Sequence, residues 1–201
     1  LKDRYENPGL VEVLPEYNAR LCQVGALLIS YRARFYEGLG REAKVFHETF
    51  SGGRENFRLQ YHTVSTVNDP FAPVSQLEQQ LLDHLESHYR AELESAQCLT
   101  GPHKDDFSVF LSGMDLKAYG SQGQTRTAAI SLKLAQRDLM AKESGEIPVL
   151  LLDDVLSELD AGRQDFVLNQ ITEGQVFITC CEPGRFTKLG KTIAISGGNV
   201  I

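Results

Sequence analysis

At 201 residues, with 42% hydrophobic and 23% charged side chains, the chain has apolar material for one good core or two modest ones, and its composition is neither disordered nor fibrous. The net charge of −7 argues against a surface that is a nucleic-acid footprint throughout, while leaving room for a local basic patch. No run approaches the roughly 20 apolar residues that cross a bilayer, and the opening LKDRYENPGL lacks a secretory pattern, so a cytoplasmic location is the expectation.

From Leu14 the apolar residues Leu14, Tyr17, Leu21, Val24, Leu28, Tyr31, Phe35 and Leu39 alternate steps of three and four until the final four-residue step, a heptad seam on a long helix. Arg20, Arg32, Arg34 and Arg41 lie off this stripe and are interleaved with glutamates, a solvated face or a contact with a polyanion. SGG at Ser51 to Gly53 breaks the helix, and NFRLQYHTV follows as a short strand with Phe57, Leu59 and Tyr61 on one side. After the turn NDPFAP, Ser75 and Glu78 form a capping box for a second helix carrying Leu77, Leu81, Leu85 and Tyr89 at four-residue spacing. Residues 1–98 are therefore expected to form a helical arm with a small strand insertion.

Residues 99–201 read as α/β. FSVFLSG alternates as a strand, MDLKAYG returns as a hairpin, and a long helix starts near Ser121. Strand, helix, strand and strand follow in IPVLLLDD, AGRQDFVLNQI, QVFITCC and KTIAIS, and the continuous apolar run Val149 to Leu152 suits a parallel sheet covered on both faces. The four cysteines, of which Cys180 and Cys181 are adjacent, match no CxxC or zinc spacing and read as reduced thiols. His84 and His88 stand four apart, on one face of a helix rather than in a zinc pattern.

Two stretches carry chemistry. In VLLLDD, a carboxylate at the carboxyl end of a buried strand suits Mg²⁺, held directly or through water beside a nucleotide's phosphates, and Asp153 fits that role. The adjacent Asp154, on the other side of the strand end, fits a group that polarises an attacking water; the same pair also fits a plain cap of strand and turn. In YGSQGQTRTAAISLKLAQRDL, Ser121 is an N-cap and Gly123 permits close backbone approach. The following helix has Ala128, Ala129, Leu132, Ala135 and Leu139 toward a core. Free N–H groups and partial positive charge at such a helix start suit a terminal phosphate, although by itself SQGQ is only a capped helix.

Order and spacing join these pieces. A serine-glycine-glutamine helix start, one helix, a strand ending in paired acids and then SELD at Ser157 to Asp160 resemble the signature, Walker B and D-loop of ABC-type ATPases. The wording GPHKDD, SQGQTRT, GEIPVLLLDDVLSELD and QVFIT is similar to the RecF family of recombination mediators, relatives of the chromosome-structuring ATPases. That resemblance covers about residues 100 to 180 with specific motifs and the arm more weakly, through its architecture and SGGRE. It implies the C-terminal half of an ABC-type ATPase lobe with a helical, partly coiled-coil-like arm.

The resemblance further implies that Ser121, Gln122, Gly123 and Gln124 touch the γ-phosphate of ATP held by a second protomer. It makes Asp153 the Mg²⁺-associated acid, Asp154 the catalytic carboxylate, and Ser157 and Asp160 the D-loop at a dimer seam. Implied with it are ATP-dependent homodimerisation, slow ATP hydrolysis, double-stranded DNA, the RecR and RecO mediators, gap repair and the SOS response. Related transporters carry glutamate at Asp154 and a switch histidine where this chain has Thr179-Cys180.

No P-loop is present. GRFTKLGKT, Gly184 to Thr192, has five residues between its glycines where the motif needs four, and the alternating IAISGGNVI after it offers no helix start. The chain also opens without Met and in mid-pattern, so it is expected to be a piece of a longer protein whose P-loop lies upstream, and to bind ATP negligibly alone. The alternatives are a head of another chromosome-structuring ATPase, which calls for longer heptad runs, and a non-catalytic interaction module with structural acids.

Overall fold

Pro15 near the start and Gly52 just past the end bound a single long helix. The computed structural model describes residues 9–156, 159–171, 173–181 and 190–200. A turn of helix, α1 (Gly9–Glu12), leads into α2 (Leu14–Ser51), which closes at Gly52 in the left-handed region (φ 62°), a conformation that glycine adopts without steric penalty. Strand β1 (Phe57–His62) follows, then α3 (Val74–Ser95), a 3-10 turn over Pro102–Lys104, β2 (Asp106–Leu111), β3 (Met114–Asp115), α4 (Leu116–Tyr119) and α5 (Gln122–Ser144). Beyond these lie β4 (Leu150–Asp153), α6 (Ala161–Gln170), β5 (Val176–Thr179), β6 (Ile195–Ser196) and β7 (Asn199–Val200). Two compact units result, Leu1–Leu139 and Met140–Ile201, and the division falls within α5.

In the first unit α2 packs on α3, but not through the heptad seam. The buried side of α2 there is Cys22, Gly25, Ala26 and Ile29, set against Leu77, Leu81 and Leu85 of α3. Small residues let the helices approach: a Cβ on Gly25 would stand 3.2 Å from both Leu81 Cδ1 and Pro102 Cδ. The seam residues Tyr17, Val24, Leu28, Tyr31 and Phe35 are instead exposed, Tyr31 by 68%, and only Leu39 is buried. Periodicity located the helix and picked the wrong face, because large side chains mark an apolar stripe while small ones marked the contact. Ser75 is likewise not a cap. The helix begins at Val74 behind Pro73, with no side-chain cap bond.

A second cluster lies at the far end of α2. Leu39 and Ala43 meet Phe57, Leu111, Leu116, Ala128 and Ala135, so α2, the small sheet and α5 share one core. β1 pairs antiparallel with β2 from Phe57↔Leu111 to His62↔Asp106, and β2 pairs with the short β3. The division expected at residue 98 thus falls between two paired strands.

The GPHKDD loop is drawn onto α2. Arg32 donates to Asp105 Oδ2 at 2.6 Å and also to the Pro102 carbonyl, and Tyr61 donates its hydroxyl to the same Asp105 oxygen at 2.5 Å. Arg32 is therefore a structural partner of a buried carboxylate, and its guanidinium is shifted up by that hydrogen bond. Burial first, and then the Asp105 contact, pushes the Tyr61 phenol up. His84 and His88 stack at 3.9 Å between ring centroids, and His84 Nδ1 meets Thr100 Oγ1 at 2.8 Å. Burial, and then His88, lowers His84 below its ordinary 6.5.

In the second unit β4 and β5 run parallel, in register from Leu150↔Val176 to Asp153↔Thr179. One face of this pair is covered, with Leu150 and Leu152 buried. The other is open among the described residues, where Leu151 is 71% and Phe177 51% exposed. KTIAIS contributes only β6, which forms a two-stranded hairpin with β7. No described helix is long and apolar enough to cross a membrane.

Leu81→Ala is expected to lower the unfolding free energy by about 2–5 kcal/mol, whereas Tyr31→Ser on the exposed stripe changes it by less than about 0.5 kcal/mol, both read by urea denaturation. Because His84 is depressed in the folded chain, the unfolded chain binds its proton first. Stability is therefore full above the unfolded value near 6.5 and falls as pH drops through that value toward the lower folded one. His84→Gln is expected to flatten this acid limb in urea midpoints measured between pH 7.5 and 5.5.

Candidate functional site

The start of α5 carries the first group of expected residues. Ser121 caps the helix: its Oγ accepts the Gln124 N–H at 3.2 Å, and the Gln124 side-chain Oε1 accepts the Ser121 N–H at 2.9 Å. This reciprocal pair is a capping box with glutamine at the third helical position, an arrangement that the box assigned to Ser75 and Glu78 lacks. Ser121 and Gln122 are exposed, and Gly123 is half-buried with its carbonyl accepting from Thr127 Oγ1 at 2.7 Å. Gln124 is also tied sideways, its Nε2 donating to Glu55 Oε1 at 2.7 Å. An exposed helix start with free N–H groups and partial positive charge is a place where an anion is stabilised.

The carboxyl end of β4 carries the second group. Thr179, paired with Asp153 in the sheet, donates its hydroxyl to Asp153 Oδ1 at 2.5 Å and accepts the Asp154 N–H at 2.9 Å. One hydroxyl thereby fixes both residues. Asp154 sits in the left-handed region (φ 51°), which aspartate tolerates better than bulkier residues and which turns the chain sharply off the strand. Both carboxylates are exposed. In the sequence Thr179 stands out only as the place where related transporters carry a switch histidine. Its spacing from the acids gave no signal, since 26 residues separate it from Asp153 and parallel pairing alone brings them together.

Of the SELD residues, Ser157 lies outside the described residues. Asp160 is the N-cap of α6, accepting the Arg163 N–H at 3.0 Å, with Arg163 Nε 3.4 Å from its other oxygen. Leu156 and Leu159, both ahead of Asp160, are buried, and the Gln164 amide donates to both of their carbonyls, which holds the turn before α6. Among the described residues no three His, Cys, Asp or Glu side chains gather to hold a metal. Mg²⁺ keeps several waters and takes only one or two carboxylates beside phosphates. Asp153, exposed with Oδ1 engaged by Thr179, has a second oxygen for such a role.

Comparison with known proteins bears on this arrangement. The chain is 39% identical over 188 residues to the DNA replication and repair protein RecF of Agathobacter rectalis, covering 94% of this chain and 49% of that protein. It is 35% identical over 204 residues to RecF of Ruminiclostridium cellulolyticum, covering 100% of this chain and 55% of the relative. The chain belongs to the RecF family. It spans about half the length of the curated relatives it matches. No protein-family model matches it.

Solved RecF structures agree. The recombination mediator protein RecF with ATPrS superposes with a TM-score of 0.81 at 28% identity, over 99% of this chain and 52% of that one. RecF with ATP gives 0.76 at 32% identity, over 87% and 47%. The fold is accordingly α/β and matches about half of each RecF chain with which it superposes.

Replacing Thr179 by Val removes both hydrogen bonds at the end of β4 while preserving shape. It is expected to lower stability by about 1 kcal/mol, with Thr179→Ser close to wild type, as read by thermal denaturation.

Proposed function

We propose that this chain supplies the signature, Walker B and D-loop portion of an ATP-gated DNA-repair clamp. In the intact protein two protomers close around ATP on double-stranded DNA, and hydrolysis lets them separate. The observation that carries this reading is the β4 terminus: two exposed acids, one closing a parallel strand and one in the turn after it, both held by Thr179, in a chain of RecF type whose solved relatives are described with ATP and ATPrS. The start of α5, exposed and capped, supports the complementary half.

In this reading Ser121, Gln122, Gly123 and Gln124 meet the terminal phosphate of ATP bound by the partner protomer, with backbone N–H groups and the serine hydroxyl as donors. Asp153 holds Mg²⁺, directly or through water. The ion, when bound, neutralises charge that builds on the phosphate oxygens. Asp154, aimed by its left-handed backbone, orients the attacking water and accepts its proton. Its side chain is one methylene shorter than glutamate, which suits slow turnover. Ser157 and Asp160 serve as the D-loop at the seam between protomers, with Asp160 also capping α6.

The P-loop comes from a part of the intact protein outside these 201 residues, which fits the relatives' roughly doubled length. Residues 1–98 act as the arm and 99–201 as the lobe portion. RecR and RecO, gap repair and the SOS response belong to this proposal through the family. Cytoplasmic work on DNA agrees with it.

The test uses the full-length protein. Asp154→Asn is expected to slow ATP hydrolysis by about 100-fold or more while ATP-dependent dimers persist, measured by phosphate release and analytical ultracentrifugation. Ser121→Arg is expected to abolish dimers while each protomer still binds ATP. Normal hydrolysis by Asp154→Asn, or dimers surviving Ser121→Arg, would remove those residues from these roles.

A further inference from the structure

A chain of polar contacts runs from the interior of the first unit to the start of α5. His47, near the end of α2, is fully buried, its ring 5.3 Å from that of Phe57. Its Nε2 lies 2.8 Å from Glu55 Oε2, and its Nδ1 reaches no hydrogen-bond partner. An ionised carboxylate only accepts, so the Nε2 carries the proton in this contact. The other Glu55 oxygen takes the Gln124 amide at 2.7 Å, and the Gln124 oxygen takes the Ser121 N–H at 2.9 Å. Every bond uses a different atom. Gln124 therefore has a single amide orientation that satisfies both neighbours, since its Nε2 faces a carboxylate and its Oε1 faces an N–H.

An ordinary capping box on a half-exposed helix start leaves its glutamine free to swing into water. This one is anchored 69 residues back in sequence, at a glutamate just beyond the end of α2. Glu55 is itself held by a buried ring. We propose that Glu55 is a positioning residue for Ser121: braced by His47, it holds Gln124 in the one orientation that completes the capping box and fixes the serine. The consequence is directional. Ser121 can meet a phosphate only when its rotamer and the first turn of α5 are already set, and pre-set geometry spares the ordering cost at the moment of association. It also makes the α2 terminus, in the arm, part of the device that presents the signature.

This proposal rests on the reading of Ser121 given above, and the test separates the two. In the full-length protein, Glu55→Ala is expected to raise the dissociation constant of the ATP-bound dimer about tenfold, with ATP affinity of the monomer changed by less than about twofold. Gln124→Ala is expected to weaken dimers similarly, and the double variant to be no worse than either single one, because both break the same chain of bonds. Glu55→Gln keeps an oxygen for the Gln124 amide and is expected to recover most of the affinity. Thermal midpoints identify any variant that merely unfolds, in which case Gln124→Ala and Glu55→Gln decide. Unchanged dimerisation in Glu55→Ala, whatever Gln124→Ala does through its own contact with the phosphate, or losses that add in the double variant, would overturn the positioning role while Ser121→Arg still abolishes dimers. Dimers surviving Ser121→Arg would overturn both readings.

Discussion

The pairing of β1 with β2 is the constraint on which the first unit turns. Six residues inserted between the two long helices join six residues from beyond the second, from Phe57↔Leu111 to His62↔Asp106. Such non-local pairing forces the end of α2, the glycine turn and Glu55 to lie beside the segment that leads into α5. Phe57 and Leu111 seal the join by entering the same core as Leu39, Ala43 and Ala128. That sheet, with the core it shares with α2 and α5, fixes how α2 stands to the start of α5.

Polar groups then refine what the core brings together. Arg32, Asp105 and Tyr61 clamp the loop before β2 onto α2, so the strand enters from a defined point. Asp105 is a buried carboxylate whose removal would leave a guanidinium and a phenol without their common acceptor, the kind of loss that costs more than the pair itself contributes. In the second unit Thr179 plays the corresponding part, since one hydroxyl sets the end of β4 and the turn that carries Asp154.

The open surfaces have a common physical meaning. Tyr17, Val24, Leu28, Tyr31 and Phe35 on α2, and Leu151 with Phe177 on the β4–β5 pair, are apolar side chains patterned for cover that the described residues do not provide. A parallel sheet is ordinarily covered on both faces. The sequence of β4 is continuous and apolar because of that demand, whatever supplies the second layer.

The sequence by itself determined the elements and the chemistry. Helical periodicity, Gly52 at the end of α2, the change of period after Thr100 and the acids closing an apolar run were all legible, because each depends on neighbours within a few residues. Motif order was enough to suggest the family. Tertiary structure decided the rest. Which face of α2 is buried depended on Gly25 and Ala26 facing Leu81 across a close helix crossing, and small residues leave no hydrophobic signal of their own. The capping box fell at Ser121 and Gln124 rather than at Ser75, because Pro73 starts α3 without a side-chain cap. Glu55 and Thr179 gave no sequence signal because Gln124 and Asp153 lie 69 and 26 residues away, and only tertiary folding brings them within hydrogen-bond distance; His47 gave none because its ring is sunk in the core.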